Sequence, residues 1–243
     1  MFIFVPYFIH VFKMIPKVVI IVAGGKGERM KAVVPKQFLE IKGRPILMHT
    51  LEVFRNFDPE IQIVLVLPAD QIDVWKSLCK KHAFTLTHTI ECGGSTRFHS
   101  VKNGLTAVSI PSLVAVHDGV RPLVSVETIS ACFDAASEYG TAVPVIDAID
   151  SIRKITENGS VSVNRSEYKF VQTPQVFDGK LLIKAYRQEF SENFTDDASV
   201  TEKAGFSIQL VEGNRENIKI TTPTDLIIAE AFLKMAAIDS AHF

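Results

Sequence analysis

Residues 18–37, VVIIVAGGKGERMKAVVPKQ, carry the strongest indication of the fold of this chain. This stretch opens with a run of β-branched apolar residues, which is typical of a buried strand, and then breaks into a glycine-rich turn. Basic residues follow at Lys26, Arg29, Lys31 and Lys36. Backbone N–H groups approach an anion closely where glycines leave room, and nearby cations neutralise its charge. The stretch therefore predicts a parallel strand whose end binds phosphate groups, with a triphosphate as the ligand.

This turn differs from the two commoner glycine-rich phosphate motifs. A Walker A loop ends in Gly-Lys-Ser/Thr, whereas Gly27 is followed here by Glu28. A dinucleotide fingerprint needs a third glycine, and Met30 stands at that position. On the turn alone, a tight strand-to-helix connection with surface lysines explains the segment as well as a phosphate site does.

The composition is that of an ordinary globular protein, with 243 residues and a net charge of −1. This charge argues against a nucleic-acid partner, since protein surfaces that bind nucleic acids are strongly basic. Cys79, Cys92 and Cys132 form neither a CxxC pair nor a metal-binding spacing, which favours a reducing, cytoplasmic location. Apolar residues 1–13 are too few to span a membrane and lack the features of a secretory signal. We interpret them as an extension or a disordered tail, with a short surface anchor as the alternative.

Apolar runs alternate with amphipathic stretches along most of the chain. Buried strands are predicted at residues 18–23, 61–67, 84–89, 113–116 and 141–145. Helical spacing covers residues 45–54, 70–82, 96–108 and 125–139. This alternation is typical of a doubly wound, mostly parallel, Rossmann-like α/β sheet with helices on both faces. Ligands of such folds bind beyond the carboxyl ends of the strands, where the glycine turn, residues 93–97 and residues 117–121 all fall.

The pattern changes after the fifth predicted strand. Residues 151–155 and 161–163 flank an Asn-Gly turn and predict a β-hairpin within a protruding arm at about residues 148–170. An isolated hairpin is marginally stable, so we expect the arm to dock on a second subunit in a homodimer, with a local flap over the site as the alternative. Residues 168–177 return to the sheet, and the whole of residues 14–238 is predicted to be a single domain. The remaining predicted elements are helices at 181–190, 197–204 and 224–235 and a strand at 208–211.

Six short clusters, in order between residues 17 and 233, together resemble the 2-C-methyl-D-erythritol 4-phosphate cytidylyltransferases of the non-mevalonate isoprenoid pathway. They are AGGKGERM with PKQ (23–30, 35–37), GGSTRFHSV (93–101), HDGVRP (117–122), QTPQVF (172–177), TDDAS (195–199) and VEGNRENIKIT (211–221). The resemblance implies a fold like that of nucleotide-diphospho-sugar transferases. It also implies transfer of CMP from CTP to a sugar-alcohol phosphate, with release of pyrophosphate. Charge then gathers on the α-phosphate and the leaving group, so fixed cations and Mg²⁺, or another divalent cation, are the expected catalysts.

The resemblance also implies roles for single residues. Arg29 and Lys36 match the cations that hold the triphosphate and stabilise the transition state, while Lys26 is a further candidate phosphate contact and Lys31 a surface residue. Asp118 matches the residue associated with the metal, with a helix N-cap as the alternative. The CTP-binding positions are Ala23, Gly24, Gly25, Gly27, Gly94, Ser95, Ser100, Asp118 and Lys219.

The acceptor-binding positions implied by the resemblance are Arg121, Ser151, Arg165, Thr173 and Thr195. Arg165 lies on or near the arm, and its planar fork of donors suits binding of the acceptor phosphate across a dimer. Arg97 belongs either to the nucleotide pocket or to the structural residues that hold its loop. His117 is interpreted as a structural imidazole, because no second His or Cys stands at ligand spacing.

Three positions depart from the family pattern. Gly119 replaces an alanine and Ser151 replaces a threonine, which are small changes because the second keeps its hydroxyl. Ser95 replaces an acidic residue and removes any contact to the base that depends on a carboxylate.

Two alternative functions stay open on the sequence. A ribitol 5-phosphate cytidylyltransferase would share the glycine turn, the CTP pocket and the HDGVRP segment, and would differ mainly in its acceptor pocket. A non-catalytic nucleotide-binding module is the more distant alternative, and the presence of Arg29, Lys36 and Asp118 argues against it.

Overall fold

A computed structural model gives the architecture of the chain and describes residues 15–24 and 34–239. The strands are β1 (Lys17–Val22), β2 (Glu40–Ile41), β3 (Arg44–Pro45), β4 (Gln62–Leu67), β5 (Thr89–Cys92), β6 (Leu113–Asp118), β7 (Thr141–Asp147), β8 (Arg153–Thr156), β9 (Gly159–Ser162), β10 (Lys169–Val171), β11 (Gln175–Asp178) and β12 (Leu210–Glu212). The helices are α1 (Ile46–Phe57), α2 (Ile72–Lys81), α3 (Arg97–Gly104), α4 (Val126–Tyr139), α5 (Gly179–Ala185), α6 (Asp197–Lys203) and α7 (Pro223–Asp239).

The main sheet contains eight strands within the described residues, in the order β10-β7-β11-β6-β1-β4-β5, with β12 paired to β7. Strands β6, β1, β4 and β5 run parallel to one another. Strand β11 lies antiparallel between β6 and β7, and β10 is antiparallel to β7. The predicted mostly parallel α/β fold is confirmed, while the sequence pattern did not predict the direction of β10 and β11.

Strand β1 is apolar throughout because both of its faces are covered. Val19 and Ile21 belong to one hydrophobic cluster, and Val18 and Ile20 belong to another on the opposite face. Each of these side chains is at most 2% exposed, and such burial stabilises the fold by about 1.5–3 kcal/mol per side chain. Successive side chains of a strand point to opposite faces, so helices on both sides of the sheet are needed to bury all four.

The strand predicted at residues 84–89 is wrong in position. The structure places β5 at Thr89–Cys92, where it pairs with β4. The apolar residues before it pack against Trp75 instead, since Phe84 and His88 both make edge contacts with the Trp75 ring. An apolar run that covers a buried tryptophan from a loop has the same composition as a buried strand.

Two further boundaries differ from the prediction. Helix α5 ends at Ala185, and the side chain of Gln188 then donates to the carbonyls of Ala185 and Val200. In the hairpin, Thr156 pairs with Gly159, so its turn residues are Glu157 and Asn158 rather than Asn-Gly.

The predicted hairpin is present as β8 and β9. These strands form a two-stranded sheet of their own, and every residue in them is exposed. The docking of this hairpin on a second subunit and the extent of the domain stay predictions, and residues 1–13 lie outside the described residues. Within the described part of the chain, no helix combines the length and apolar character that a membrane crossing requires.

Candidate active site

A first cavity of about 350 Å³ opens beyond the carboxyl ends of β1, β5 and β6. It collects all seven predicted CTP-binding residues that the structure describes, and three cations, Lys36, Arg97 and Lys219, line it. Its lining residues include Ala23, Gly24, Lys36, Gly94, Ser95, Arg97, Ser100, Asp118 and Lys219. The predicted residues Gly25, Lys26, Gly27, Arg29 and Lys31 lie outside the described residues.

The loop after β5 is held tightly in this cavity. A Cβ at Gly94 would overlap with the Cβ of His99, so the close approach requires glycine. The Ser100 hydroxyl accepts from the Gly94 N–H at 3.1 Å and donates to the Thr96 carbonyl at 2.9 Å. Since its only proton is used within the loop, Ser100 can offer a bound base a hydrogen-bond acceptor but no donor.

Asp118, at the end of β6, is surrounded by three cations. Its carboxylate lies 2.9 Å from Nζ of Lys219, 3.3 Å from Nε of Arg121 and 3.7 Å from Nε of Arg97. Burial alone would raise the pKa of this carboxyl, but the charges of Arg97, Lys219 and Arg121 outweigh it and hold the pKa far below its usual value. Asp118 is therefore ionised at neutral pH, and it is not a helix N-cap in this structure, since Ser125 caps the helix that follows.

Arg97 is anchored from behind by a buried carboxylate. Its Nη1 and Nη2 donate to the two oxygens of Asp197 at 2.9 and 2.6 Å, and Tyr186 donates its hydroxyl proton to Asp197 at 2.6 Å. Asp197 is fully buried. Burial would lower the pKa of Arg97, but Asp197 and Asp118 outweigh it and raise the pKa above its ordinary value. Arg97 thus has both of the roles that the sequence left open, because it holds α6 and also lines the first cavity.

A second cavity, of about 280 Å³, is lined in part by the same cluster. Three of the predicted acceptor-binding residues line it, namely Arg121, Thr173 and Thr195. Arg97, Asp118 and Lys219 line both cavities. We call these three residues the shared wall.

The remaining predicted acceptor residues lie elsewhere in this single chain. Ser151 and Arg165 are exposed and line neither cavity. Arg165 donates to the carbonyl of Ile149 at the base of the hairpin. Their role in acceptor binding stays a prediction that requires a second subunit.

The structure also resembles solved enzymes. The chain is similar to 4-diphosphocytidyl-2C-methyl-D-erythritol synthase from Anaerococcus prevotii, with a TM-score of 0.76, 32% identity, and coverage of 90% of this chain and 96% of that one. It is also similar to 2-C-methyl-D-erythritol 4-phosphate cytidylyltransferase from Thermus thermophilus, with a TM-score of 0.73, 33% identity, and coverage of 91% of this chain and all of the other.

Sequence comparison agrees with these structures. The family model for 2-C-methyl-D-erythritol 4-phosphate cytidylyltransferase matches residues 17–235. The chain belongs to this family. The enzyme of that name from Bacteroides thetaiotaomicron is 57% identical over 215 residues, which are 88% of this chain and 98% of the relative. The resemblance inferred from the six clusters is confirmed, and these comparisons support neither the ribitol 5-phosphate alternative nor the non-catalytic module.

Sequence reasoning missed the buried residues that hold this family's cavities in shape. Asp197 and Tyr186 fix Arg97, as described above, and Asn217 joins two other segments. The side-chain amide of Asn217 donates to the Thr173 carbonyl at 2.9 Å, and the backbone carbonyl of Asn217 accepts from Nη1 of Arg121 at 2.7 Å. Asp197 stands within TDDAS and Asn217 within VEGNRENIKIT, and only their place in these clusters could have marked them as site residues. The contacts themselves join residues far apart in sequence.

Replacing Asp197 by asparagine is expected to lower the free energy of unfolding by about 1.5–3 kcal/mol, because Arg97 would lose the bidentate ion pair that anchors it. Arg97 is 28% exposed and keeps Asp118 as a second counter-charge. Urea denaturation measures this change. Asp73→Asn is the matched control, since Asp73 pairs with Lys76 at 3.4 Å through a side chain that is 95% exposed. Equal unfolding midpoints for the two variants would contradict the structural role of Asp197.

His117 predicts a pH dependence of stability. Burial lowers the pKa of its imidazole from 6.5 to about 4, so the unfolded chain binds the proton more tightly than the folded protein does. The neutral ring contributes its full stabilisation above about pH 6.5. As the pH falls from there to about 4, the free energy of unfolding decreases by about 3 kcal/mol. Urea unfolding of wild type and His117→Phe should give curves that converge towards pH 4; parallel curves would be inconsistent with this shift.

Proposed function

We propose that this chain transfers CMP from CTP to 2-C-methyl-D-erythritol 4-phosphate and releases pyrophosphate. The observation that carries the proposal is the shared wall. Arg97, Asp118 and Lys219 line both the first cavity and the second cavity. A nucleotide in the first cavity and an acceptor in the second would therefore meet at one cationic position.

The first cavity suits a nucleoside triphosphate. Gly94 and Ser95 offer close main-chain approach to a base, and Lys36 offers positive charge to phosphates beside the main chain of Ala23 and Gly24. The nucleotide would then lie with its base on the loop after β5 and its α-phosphate at the shared wall. We assign Arg29 to the same triphosphate on the family pattern.

The second cavity suits a phosphorylated acceptor. Arg121 and Lys219 can bind its phosphate, and Thr173 and Thr195 offer hydroxyl groups to the rest of the molecule. The two substrates are both anions, so the cations of the shared wall and Arg121 reduce their repulsion. Because the acceptor phosphate is already ionised, the reaction depends on positioning and charge stabilisation rather than on a general base.

Magnesium is part of this proposal. Within the described residues no group of three or more His, Cys, Asp or Glu side chains forms a metal site. The residues still fit this ion, because Mg²⁺ is commonly held by one or two carboxylates together with phosphate oxygens, and Asp118 is an ionised carboxylate at the shared wall. Asp118 would hold it together with the triphosphate, and the ion would supply charge neutralisation at the phosphates.

The direct test is release of pyrophosphate from CTP by the purified full chain with magnesium. We expect efficient release with 2-C-methyl-D-erythritol 4-phosphate and at most slow release with ribitol 5-phosphate. Omission of the acceptor is the control for simple hydrolysis. Faster release with ribitol 5-phosphate would overturn the assignment of the acceptor, and no release with either would overturn the proposed reaction.

We further propose that the protein acts as a homodimer through the arm. Every residue of β8, β9 and β10 is exposed, and apolar side chains lie among them. Ile155 is 78% exposed and Phe170 is 54% exposed. A second subunit would bury these side chains and could bring Arg165 and Ser151 to the acceptor, which neither residue reaches within its own chain.

The variant Ile155→Asp with Phe170→Asp is expected to convert the dimer to a monomer and to lower kcat/KM for the acceptor at least tenfold, since charged residues would enter an apolar interface. Sedimentation velocity measures the mass, and steady-state assays measure the acceptor KM. Ile227→Asp is the control, because Ile227 is 71% exposed on α7, away from the arm. A monomeric wild-type protein with full activity would refute the dimer.

The location we propose for this reaction is the cytoplasm. All three cysteines are free thiols, and disulfides are rare in reducing compartments. Burial raises the pKa of Cys132 to about 12 and also raises the pKa of Cys79. Neither thiol is therefore activated for redox chemistry.

A further inference from the structure

His117 and Thr173 form a hydrogen-bond chain whose direction is fixed by its two ends. Nε2 of His117 lies 3.0 Å from the carbonyl oxygen of Arg121, and Nδ1 lies 3.1 Å from Oγ1 of Thr173. The same hydroxyl oxygen lies 3.1 Å from the backbone nitrogen of Asp118. His117 is fully buried and Thr173 is 5% exposed.

The hydrogen-bond chain begins at the carbonyl oxygen of Arg121. A carbonyl oxygen can only accept, so Nε2 of His117 carries a proton and donates it. The two ring nitrogens face a carbonyl and a hydroxyl, which are uncharged, and a fully buried imidazole favours its neutral form. Nδ1 is then an acceptor, and the Thr173 hydroxyl donates to it.

The second end is the backbone N–H of Asp118, which can only donate. The Thr173 oxygen accepts this hydrogen bond while its proton goes to His117. A hydroxyl has one proton and two acceptor positions, so Thr173 keeps one acceptor position and no donor. Thr173 lines the second cavity beside Arg121 and Lys219.

We propose that His117 is a positioning residue that turns Thr173 into a hydrogen-bond acceptor towards the second cavity, so that Thr173 binds a hydroxyl group of the acceptor and not its phosphate. This inference rests on the proposed function. A phosphate oxygen has no proton to donate at this position, whereas each hydroxyl of a sugar alcohol has one. Arg121 and Lys219 then bind the phosphate. The hydrogen-bond direction at Thr173 fixes the orientation of the acceptor in the second cavity.

The test is a set of acceptor analogues, each of which lacks one hydroxyl, assayed by pyrophosphate release with the full chain. In wild type, one analogue should show a kcat/KM that is lower by roughly three- to tenfold because a single neutral hydrogen bond is lost. In Thr173→Val the same analogue should show no further loss relative to the intact acceptor. Thr173→Ser should restore the wild-type difference, and the KM for CTP should change less than twofold in both variants.

Two more variants separate positioning from stability. His117→Phe keeps a ring beside Phe54, whose edge contact has a centroid distance of 4.9 Å, but frees the Thr173 proton, so that Thr173 can also donate. An analogue with a methyl ether in place of the same hydroxyl can accept but not donate; it should be disfavoured in wild type and regain activity in His117→Phe. Thr141→Val is the matched control, since the Thr141 hydroxyl also donates to one main-chain group, Ser207, and accepts from another, Gln209. Its analogue penalty should equal that of wild type.

The outcomes are distinct. If every analogue shows the same penalty in wild type and in Thr173→Val, the hydroxyl contact is refuted. If Thr173→Val removes the penalty but a folded His117→Phe variant disfavours the methyl-ether analogue as strongly as wild type does, the positioning role of His117 is refuted. If wild type releases no pyrophosphate with the intact acceptor, it is the proposed function that fails.

Discussion

Lys36→Ala is expected to lower kcat by about two to three orders of magnitude while the protein stays folded. Lys36 opens a short 3-10 turn, is half-buried and lines the first cavity. A fixed cation beside a triphosphate stabilises charge that develops in the transition state, and removal of one such group costs about 10²- to 10³-fold in turnover. Steady-state pyrophosphate release measures the loss, and circular dichroism with urea denaturation checks the fold.

Lys76→Ala is the matched control for this experiment. Its side chain is 63% exposed on α2 and pairs weakly with Asp73, so its turnover should equal that of wild type. Arg29→Ala is expected to behave like Lys36→Ala on the family pattern. Near-normal turnover in Lys36→Ala and Arg29→Ala together would show that the reaction does not use these cations.

Asp118→Asn is expected to lower kcat at least a hundredfold and to shift the magnesium titration of activity to higher concentrations. The substitution keeps the volume of the side chain but removes the charge that Lys219, Arg121 and Arg97 share. These cations would lose their common anchor, and the triphosphate would lose a carboxylate partner for the metal. Activity measured over a range of magnesium concentrations separates the two effects.

Asp178→Asn is the control, because Asp178 caps α5 and lines neither cavity. A loss of turnover in Asp118→Asn with an unchanged magnesium titration would limit Asp118 to orienting the cations. In that case the metal role would be withdrawn. Full activity in this variant would contradict the importance of the shared wall altogether.

Much of the fold was predictable because its strands and helices bury residues with simple periods. Strand β1 is covered on both faces and reads as a continuous apolar run, and α4 begins and ends close to its predicted bounds, with Ser125 as its N-cap and Gly140 as its C-cap. Residues 84–88 were assigned wrongly because a loop that packs on Trp75 has the composition of a strand. The directions of β10 and β11 depend on pairing between distant segments, which no local pattern encodes.

The site was predictable to the extent that its residues fall at strand ends. The glycines and Asp118 stand where parallel strands finish, so their convergence on one edge of the sheet follows from the fold. Lys219 lies in the loop between β12 and α7, and only its place in the last of the six clusters indicated it. The role of Asp197 could not be predicted in this way. It depends on an ion pair with Arg97, which is far away in the sequence. The directions of the hydrogen bonds at Thr173 likewise depend on three separate segments meeting.

A crystal structure of the protein with CTP and magnesium would show whether the two substrates meet at the shared wall. We predict that the base lies on the loop at Gly94 and Ser95, that the phosphates lie along the turn after Gly24 beside Lys36, and that the α-phosphate faces the second cavity across the shared wall. A nucleotide bound with its α-phosphate away from Arg97, Asp118 and Lys219 would contradict the account, because the acceptor could not then reach it.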